Sequence, residues 1–192
     1  MGITISPTNE GTGSGLTIGG KAGIDPAGSE AARRQFRDTL GHFCTGVTVM
    51  TALVPHKDGT PGTEYVGITV SSFNSLSLDP PMILWSIARD SVSYNCYQVG
   101  SAFAVNVLSV EQEALAHRFA RTGRDKFDGV PLHIGLDAVP LIDGCVVYLE
   151  CRTEARYPGG DHDIIVGRVR RIFNIGKAPL LFHIGALRGL GV

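Results

Sequence analysis

The chain has 192 residues, of which 43% are hydrophobic and 18% charged, and it carries a formal net charge of −1. This composition is that of a single globular domain and excludes a disordered chain. The sequence contains no basic patch and no apolar run of the ~20 residues that cross a bilayer, so neither nucleic acid nor a membrane is an expected partner. No signal peptide precedes the first predicted helix, which predicts a cytoplasmic location.

The first 28 residues are rich in Gly, Ser and Thr, and the first aromatic residue of the chain is Phe36. A segment of this kind buries too little apolar surface to order itself, so we predict a flexible leader at 1–28 and a folded domain at 29–192. Within the leader, Gly15–Ala22 nearly matches a phosphate-binding loop. Ala22 stands where such a loop needs a hydroxyl for magnesium, and no hydrophobic strand precedes it, so we do not predict a nucleotide site here.

The folded part begins with a predicted helix that starts at Ser29 and ends by Gly46. Its apolar residues recur at helical spacing, and they are Ala32, Phe36, Leu40 and Phe43. Further along the chain, Asp90 or Ser91 is expected to cap a short helix. A capping box of Ser109 and Gln112 predicts a longer one, with Leu115 and Phe119 four residues apart.

Between these helices lie segments with the alternation or the short apolar run of a strand. The predicted strands are Val47–Leu53, Tyr65–Val70, Met82–Ile87, Ala102–Leu108, Cys145–Thr153, Ile164–Phe173 and a short last one at Leu181–Ile184. They do not alternate regularly with helices, and no GxGxxG motif follows a strand. The predicted fold is therefore mainly β with α, an antiparallel barrel with decorating helices, and not a Rossmann sheet.

The four cysteines form no CxxC pair, and no HxxxH or HxH pattern accompanies them. Six residues separate Cys145 from Cys151 in a predicted strand, so we expect both thiols on one face with Val147 and Leu149. Reduced thiols packed in a core are the preferred interpretation, and no metal site is predicted.

The segment Gly67–Pro81, which we call the serine segment, holds four serines, a threonine and an asparagine, with no charge before Asp79. Neutral hydroxyls and backbone donors suit a planar, polar, weakly charged ligand, because they follow a ring edge without fixing a charge beside it. The alternative is a serine-rich turn between two strands.

Three other places carry groups that could do chemistry. His162 follows Gly159 and Gly160 at the start of a strand, where it could donate a hydrogen bond, shuttle a proton or cap the turn. Arg89 precedes a helix start and is either an anion holder or a surface residue. Asn106 lies inside an apolar strand and must be hydrogen-bonded, either to backbone or to a ligand.

Together these segments closely resemble the flavin reductase family, which supplies reduced flavin to two-component monooxygenases. The resemblance covers about residues 33–188 and rests on Phe36–Val49, Gly67–Phe73, Ser77–Pro81, Phe103–Leu108, Asp125–Phe127 and Gly160–His162. It implies a split β-barrel, a homodimer and the reduction of FMN or FAD by NADH or NADPH. It also implies a partner flavin-dependent monooxygenase. A reductase acting on another acceptor such as a cobalt corrinoid, or a non-catalytic flavin- or heme-binding barrel, are the alternatives.

The resemblance further implies roles for individual residues. His162 matches the histidine placed near the nicotinamide, and we predict that it positions this ring rather than acting as an obligatory base. The residues that the resemblance places at the flavin or beside it are Thr69, Val70, Ser71, Ser72, Phe73, Arg89, Ser91, Val105, Asn106, Val107, Arg118, Phe119 and Asp161.

Overall fold

A computed structural model describes residues 17–56, 59, 61–123 and 125–190. The chain divides into two compact units, Met1–Leu40 and Gly41–Val192. In the first unit, strands β1 (Thr17–Ile18) and β2 (Lys21–Ala22) pair antiparallel, and helix α1 spans Glu30–Leu40. The predicted leader falls largely on residues outside the described ones and stays a prediction.

Two features of this first unit were predicted from sequence only in part. Gly19 and Gly20, the glycines of the near-match to a phosphate loop, form the β1–β2 turn with φ of 60° and 76°. Residues 15 and 16 of that motif lie outside the described residues. Helix α1 starts as predicted, because Ser29 Oγ accepts a hydrogen bond from the Ala32 backbone N–H at 3.1 Å. It ends at Leu40, six residues before the predicted stop at Gly46, because the chain turns into the next strand at Thr45.

The second unit carries one helix and twelve strands among its described residues. The helix α2 spans Glu113–Ala120. The strands are β3 (Thr45–Gly46), β4 (Thr48–Pro55), β5 (Thr63–Val70), β6 (Asn74–Leu78), β7 (Pro81–Ala88), β8 (Ala102–Val107), β9 (Leu132–Ile134), β10 (Pro140–Ile142), β11 (Val147–Gly159), β12 (His162–Asn174), β13 (Leu181–His183) and β14 (Ala186–Arg188).

Seven of these strands form one sheet in the order β5-β4-β8-β11-β12-β7-β6, and every pairing in it is antiparallel. A second sheet has the order β14-β13-β3, and β9 pairs with β10. The antiparallel arrangement predicted from the sequence is therefore confirmed.

The hydrophobic core falls into two clusters. One gathers Trp85, Tyr97 and Phe103, with Trp85 and Tyr97 in edge contact at 4.8 Å between ring centroids. The other gathers Phe119 and Tyr148, with Ala104 of β8 beside them. Because successive side chains of a strand point to opposite faces, β8 supplies both clusters, which explains its nearly continuous apolar sequence.

The cysteines correct one prediction. All four are free thiols, three of them buried and Cys44 exposed. Cys145 precedes β11 and packs in the Phe119 cluster, whereas Cys151 packs in the Trp85 cluster, so they do not share a face. A register shift between Glu150 and Cys151 interrupts the alternation on which that prediction depended. Burial raises the pKa of each of these two thiols to about 12.

The remaining helix predictions are partly right. The short helix is a 3₁₀ turn at Tyr94–Tyr97 that follows Ser93, so neither Asp90 nor Ser91 is its cap. Ser91 Oγ instead accepts a hydrogen bond from the Ser93 N–H at 3.2 Å, inside the preceding turn. The predicted capping-box bond from Gln112 is present, because its side-chain oxygen accepts a hydrogen bond from the backbone N–H of Ser109 at 3.0 Å.

The last strand is shorter than predicted. Ile184 and Gly185 form the β13–β14 turn with φ of 48° and 72°, so β13 stops at His183. In the part of the chain that the structure describes, no helix combines the length and the apolar character needed to cross a bilayer.

Candidate active site

A cavity of about 430 Å³ lies between β5, α2 and the β13–β14 hairpin. Its walls are mostly small or apolar, with two neutral hydroxyls on one side and one acidic and one imidazole side chain from α2. The lining residues are Val47, Thr69, Val70, Ser71, Glu113, Ala116, His117, Ala120, Phe182, Gly185, Ala186 and Leu187. A largely apolar cleft with a few convergent polar groups is the usual form of a small-molecule site.

The two main walls of this cavity are held together by side chains that bond to backbone carbonyls. Thr69 Oγ1 on β5 donates to the Ala116 carbonyl on α2 at 2.8 Å. Lys126 Nζ donates to the carbonyls of Gly67 at 3.0 Å and Phe119 at 3.2 Å, one on each wall. The helix also lies so close to β5 that a Cβ at Gly67 would sit 2.6 Å from the Phe119 ring. The spacing between β5 and α2 is thus fixed at several points.

The serine segment is two strands with a break between them. It begins in β5, passes through β6, which the sequence did not predict, and ends at Pro81, the first residue of β7. Residues 71–73 lie in the break between β5 and β6. Among the residues that the structure describes, the backbone N–H groups of 71–73 donate to no protein acceptor. Consecutive free donors at the rim of a cavity are available to water or to a ligand acceptor.

The hydroxyls of this segment differ in what they do. Ser72 Oγ accepts from the Ser86 N–H at 2.9 Å and donates to the Ser86 carbonyl at 3.2 Å, which ties the break to β7. The Thr69 hydroxyl is engaged by α2. Ser71 is exposed and lines the cavity, and within the described residues its hydroxyl has no partner. Of these three residues, only Ser71 therefore has a hydroxyl left for a ligand.

His162 lies on the strand that pairs with β7, and the break at 71–73 also bonds to β7. In the β7–β12 register, Ile164 pairs with Ser86 and His162 pairs with Ala88. These four residues are half-buried and alternate with Ile87 and Ile165, which face the core. Ser72 bonds to the backbone N–H and carbonyl of Ser86, so the break at 71–73 and His162 both adjoin β7, two residues apart along it.

The imidazole of His162 is oriented by its neighbour in the turn. Its Nδ1 lies 2.7 Å from Asp161 Oδ1, and the histidine side chain is 43% exposed. The hydrogen bond from His162 lowers the pKa of the Asp161 carboxyl. A carboxylate at Nδ1 favours the tautomer with a proton there and leaves Nε2 to meet a ligand.

The opposite side of the same strand end holds a cluster of charged groups around Asp163. Its carboxylate accepts hydrogen bonds from Tyr94 Oη at 2.6 Å, Arg89 Nε at 2.9 Å and Arg156 Nη2 at 3.1 Å. The Tyr94 and Arg89 hydrogen bonds lower the pKa of Asp163, and the same Asp163 bond raises the pKa of Tyr94. Arg156 also stacks over the Tyr94 ring at 4.3 Å.

Known proteins share this architecture. Residues 40–191 match the sequence model of the flavin reductase like domain. The FMN reductase (NADH) SmoA of Agrobacterium fabrum is 44% identical over 153 residues, which cover 80% of this chain and 83% of that protein. The flavin-dependent monooxygenase reductase subunit HsaB of Rhodococcus jostii is 37% identical over 158 residues, covering 82% of this chain and 77% of that protein. This chain belongs to the flavin reductase-like family.

A solved structure agrees in fold. The NADH:FAD oxidoreductase SgcE6 of Streptomyces globisporus, in complex with NAD and FAD fragments, has 35% identity and a TM-score of 0.76 and covers 89% of this chain and 98% of its own. The family, the split-barrel fold and the class of activity predicted from the sequence, reduction of a flavin by a nicotinamide nucleotide, are confirmed.

Within this flavin reductase, several residues predicted at the flavin have their side chains in the core. Val105, Asn106 and Phe119 are fully buried. Asn106 Nδ2 donates to the Val49 carbonyl and to Thr51 Oγ1, each at 3.0 Å, and its Oδ1 accepts from the Ile142 N–H at 2.8 Å. The Asn106 amide therefore bonds to the backbone, as the first alternative predicted, with the Thr51 hydroxyl as a further partner.

Four others lie away from the cavity of the flavin reductase. Arg89 bonds to Asp163, on the other side of β12 from His162, with its side chain still 46% exposed. Ser91 accepts a hydrogen bond within its own turn. Val107 packs against the Trp85 cluster, and Arg118 is a half-buried residue of α2 that does not line the cavity. The break at 71–73, with Phe73 half-buried in it, and the Asp161–His162 pair adjoin the same strand, β7.

The sequence also missed residues that line the cavity of this flavin reductase or hold its walls together. Ala116, Ala120 and the β13–β14 hairpin line the cavity, but small and apolar residues carry no chemical signal of a site. Lys126 lies within Asp125–Phe127, one of the segments that carry the resemblance, but no role was predicted for it. Its bonds to two backbone carbonyls could not be read from residue types. In the described part of the chain, no three His, Cys, Asp or Glu side chains are grouped so as to hold a metal.

Proposed function

We propose that this chain uses NADH to reduce FMN or FAD, that the flavin ring binds in the cavity between β5 and α2, and that the reduced flavin leaves for a separate monooxygenase. The observation that carries the assignment of the site is the run of free backbone N–H groups at 71–73. It borders a cavity with uncharged walls on the β5 side, and both the break and His162 adjoin β7.

A flavin ring fits the chemistry of this cavity. The isoalloxazine is flat and apolar on its faces, and Val70, Ala116 and Leu187 offer apolar surfaces to it. Its carbonyl and nitrogen edge accepts hydrogen bonds, which the N–H groups of 71–73 and the Ser71 hydroxyl can donate. The volume of about 430 Å³ lies within the usual range for small-molecule sites.

The bound cofactors supply the chemistry, a hydride moving from nicotinamide C4 to flavin N5. The chain contributes positioning and electrostatics. Donors directed at the ring edge favour the negative charge that develops there as the flavin gains electrons, and preorganised donors require little reorganisation. Because residues 71–73 offer this stabilisation from the backbone, the reaction needs no dedicated base.

The same arrangement favours a flavin that exchanges. The hydroxyls of Thr69 and Ser72 bond to α2 and β7, so these side chains stabilise the cavity walls and do not bind the ligand. Few side chains then fix the ring, and no lysine or arginine is among the described residues that line the cavity. We propose that FMN or FAD is a substrate that enters oxidised and departs reduced.

His162 is the proposed contact for the nicotinamide. Asp161 holds Nδ1, and the partly exposed ring can direct Nε2 toward the carboxamide of the dinucleotide. We propose NADH as the reductant because the relative SmoA is named an NADH enzyme. The main contribution of the protein to hydride transfer is to hold the flavin and nicotinamide rings at reacting distance.

We also propose that the chain acts as a homodimer and passes reduced flavin to a monooxygenase component. Beyond Arg168, described residues of β12 pair with β11 alone, which leaves the other edge of that strand open. Ile172, Phe173 and Ile175 are exposed along it. An open, apolar strand edge is a usual place for a second copy to dock, and light scattering of the purified protein tests the dimer.

A matched pair of substitutions on α2 tests the site. Ala120 is exposed and lines the cavity, whereas Ala114 is exposed on the same helix and does not line it. A tryptophan at either position avoids the core, so both variants should fold. Ala120→Trp is expected to fill the cavity, weaken FMN and FAD binding by at least about tenfold and slow NADH oxidation accordingly. Ala114→Trp should behave like the wild type.

Flavin fluorescence titration gives the binding constant, and NADH absorbance gives the rate. If Ala120→Trp binds flavin and oxidises NADH as the wild type does, the ring does not occupy this cavity. If flavin binds and the wild type oxidises no NADH, the chain is a flavin-binding protein without reductase activity.

A further inference from the structure

The turn that carries His162 is held by one residue of the neighbouring strand end. The Arg89 backbone N–H donates to the Asp161 carbonyl at 3.0 Å, and the Arg89 side chain donates to Asp163 at 2.9 Å. The residues before and after His162 are thus both bonded to Arg89. This leaves the turn little freedom to rotate or slide along β7.

Asp163 is the centre of this bracing. The residue is only 8% exposed, and Arg89, Tyr94 and Arg156 all bond to its carboxylate. Tyr94 belongs to the 3₁₀ turn, Arg156 to β11, and Arg89 follows β7, so the carboxylate joins all three to the start of β12. A buried carboxylate with three donors is strongly held, and removing it would leave two guanidinium groups without their shared anion.

Asp163 cannot itself touch a ligand held by His162. The two residues are adjacent in β12, so their side chains leave opposite faces of the strand. Any effect of Asp163 on a ligand at the His162 side must therefore pass through the position of the turn.

We propose that Asp163, braced by Arg89, Tyr94 and Arg156, is a positioning residue that sets the place of His162 and thereby the binding of the nicotinamide. This rests on the proposed function, in which His162 contacts the nicotinamide ring. The bracing acts on the dinucleotide and leaves the flavin cavity unaffected, because the cavity is lined by β5, α2 and the β13–β14 hairpin.

The test uses the full chain and a double-mutant cycle. Asp163→Asn keeps the shape and removes the charge, and is expected to raise the KM for NADH by about tenfold with the flavin dissociation constant unchanged. Tyr94→Phe removes a single hydrogen bond and is expected to raise the same KM by about threefold. Tyr94→Phe serves as the test variant if Asp163→Asn does not fold.

The cycle with His162→Ala separates positioning from a general loss of structure. If Asp163 acts through His162, adding Asp163→Asn or Tyr94→Phe to His162→Ala should change the NADH KM by less than about twofold. A full tenfold effect in the His162→Ala background would overturn the proposal, as would a parallel loss of flavin binding. The control is Glu154→Gln, which removes a carboxylate from the ion pair with Arg168 on the same two strands and should leave both constants unchanged.

The outcomes also distinguish this proposal from the proposed function. If His162→Ala raises the NADH KM and the Asp163 and Tyr94 variants do not, His162 contacts the nicotinamide and the positioning role of Asp163 is wrong. If His162→Ala leaves the NADH KM unchanged, the nicotinamide contact fails, and the role assigned to Asp163 fails with it.

Discussion

In the break of the serine segment, the backbone N–H groups of 71–73 have no protein acceptor among the described residues, and the hydroxyls of Thr69 and Ser72 bond to α2 and β7. In the β11–β12 turn, by contrast, the side chains bond to one another. There, Asp161 orients His162, and Asp163 bonds to three donors. The first region offers a ligand mainly its backbone, and the second offers a single side chain that others position. Flavin binding should therefore tolerate changes of side chain in the break, while nicotinamide binding should not tolerate changes at the turn.

The largest expected effect comes from changing the backbone geometry beside the break. In Gly67→Ala, the new methyl group would lie 2.6 Å from the Phe119 ring, which is fully buried and makes an edge contact with Phe127. We expect a loss of about 1–3 kcal/mol in the free energy of unfolding, together with weaker flavin binding, because β5 and α2 must move apart. Urea denaturation and flavin titration measure both.

Gly46→Ala is the matched control, since a Cβ there meets no atom within 4 Å and the residue does not have a positive φ. Gly67→Ala with wild-type stability and flavin affinity would show that the spacing of β5 and α2 is not fixed at this point.

Removing the nicotinamide contact is expected to have the next largest effect. His162→Ala should raise the KM for NADH by about tenfold and leave the flavin dissociation constant unchanged, because the imidazole supplies a single hydrogen bond to the dinucleotide. Steady-state kinetics at saturating flavin measures this. A variant that loses turnover at an unchanged KM would contradict a positioning role and point to a role in the chemical step.

A pH dependence follows from the bracing of Asp163. Its pKa is lowered in the folded chain, by Tyr94 first and then by Arg89. The stabilisation is therefore fully present above the unfolded-state pKa of about 3.9 and is lost as the pH falls through the lower folded-state pKa. The difference in unfolding free energy between the wild type and Asp163→Asn should be constant near neutral pH and shrink in acid. A difference that stays the same down to the acid unfolding transition would contradict this coupling.

The smallest effects separate the two serines of the break. Ser72→Ala loses the two bonds to Ser86 and should cost about 1 kcal/mol of stability. Ser71→Ala should leave stability unchanged and weaken flavin binding by less than about threefold, since the N–H groups of 71–73 remain. Thermal unfolding and flavin titration check the pair. A Ser71→Ala variant that loses flavin binding altogether would show that the side chain, and not the backbone, holds the ring.

Much of the fold could be predicted because its signals are local. The alternation in Val47–Leu53 and the apolar run in Met82–Ile87 mark β4 and β7, which lie close to the predicted positions. Their burial differs from the patterns, because β4 is buried on both faces from Thr48 to Ala52, whereas β7 alternates between buried and half-buried residues. Strand β6 was missed because its residues are almost all exposed at the edge of the sheet, with Leu78 94% exposed. An exposed edge strand has no buried face to produce a pattern.

The site was harder to predict because its parts are far apart in the sequence. The serine segment and His162 were singled out from their residue types and their resemblance to a family. The other wall of the cavity comes from Ala116, Ala120 and the β13–β14 hairpin, which only the tertiary fold brings to β5. Likewise, the partners of Asn106 are 57 and 36 residues away, so its core role could not be distinguished from a ligand contact.

Anaerobic mixing of the purified chain with FMN or FAD and NADH tests the central claim most directly. We predict that the visible absorbance band of the flavin bleaches as NADH is consumed in equal amount, and that Ala120→Trp bleaches it far more slowly than Ala114→Trp. No bleaching with either flavin, or equal rates in the two variants, would contradict reduction of a flavin in this cavity.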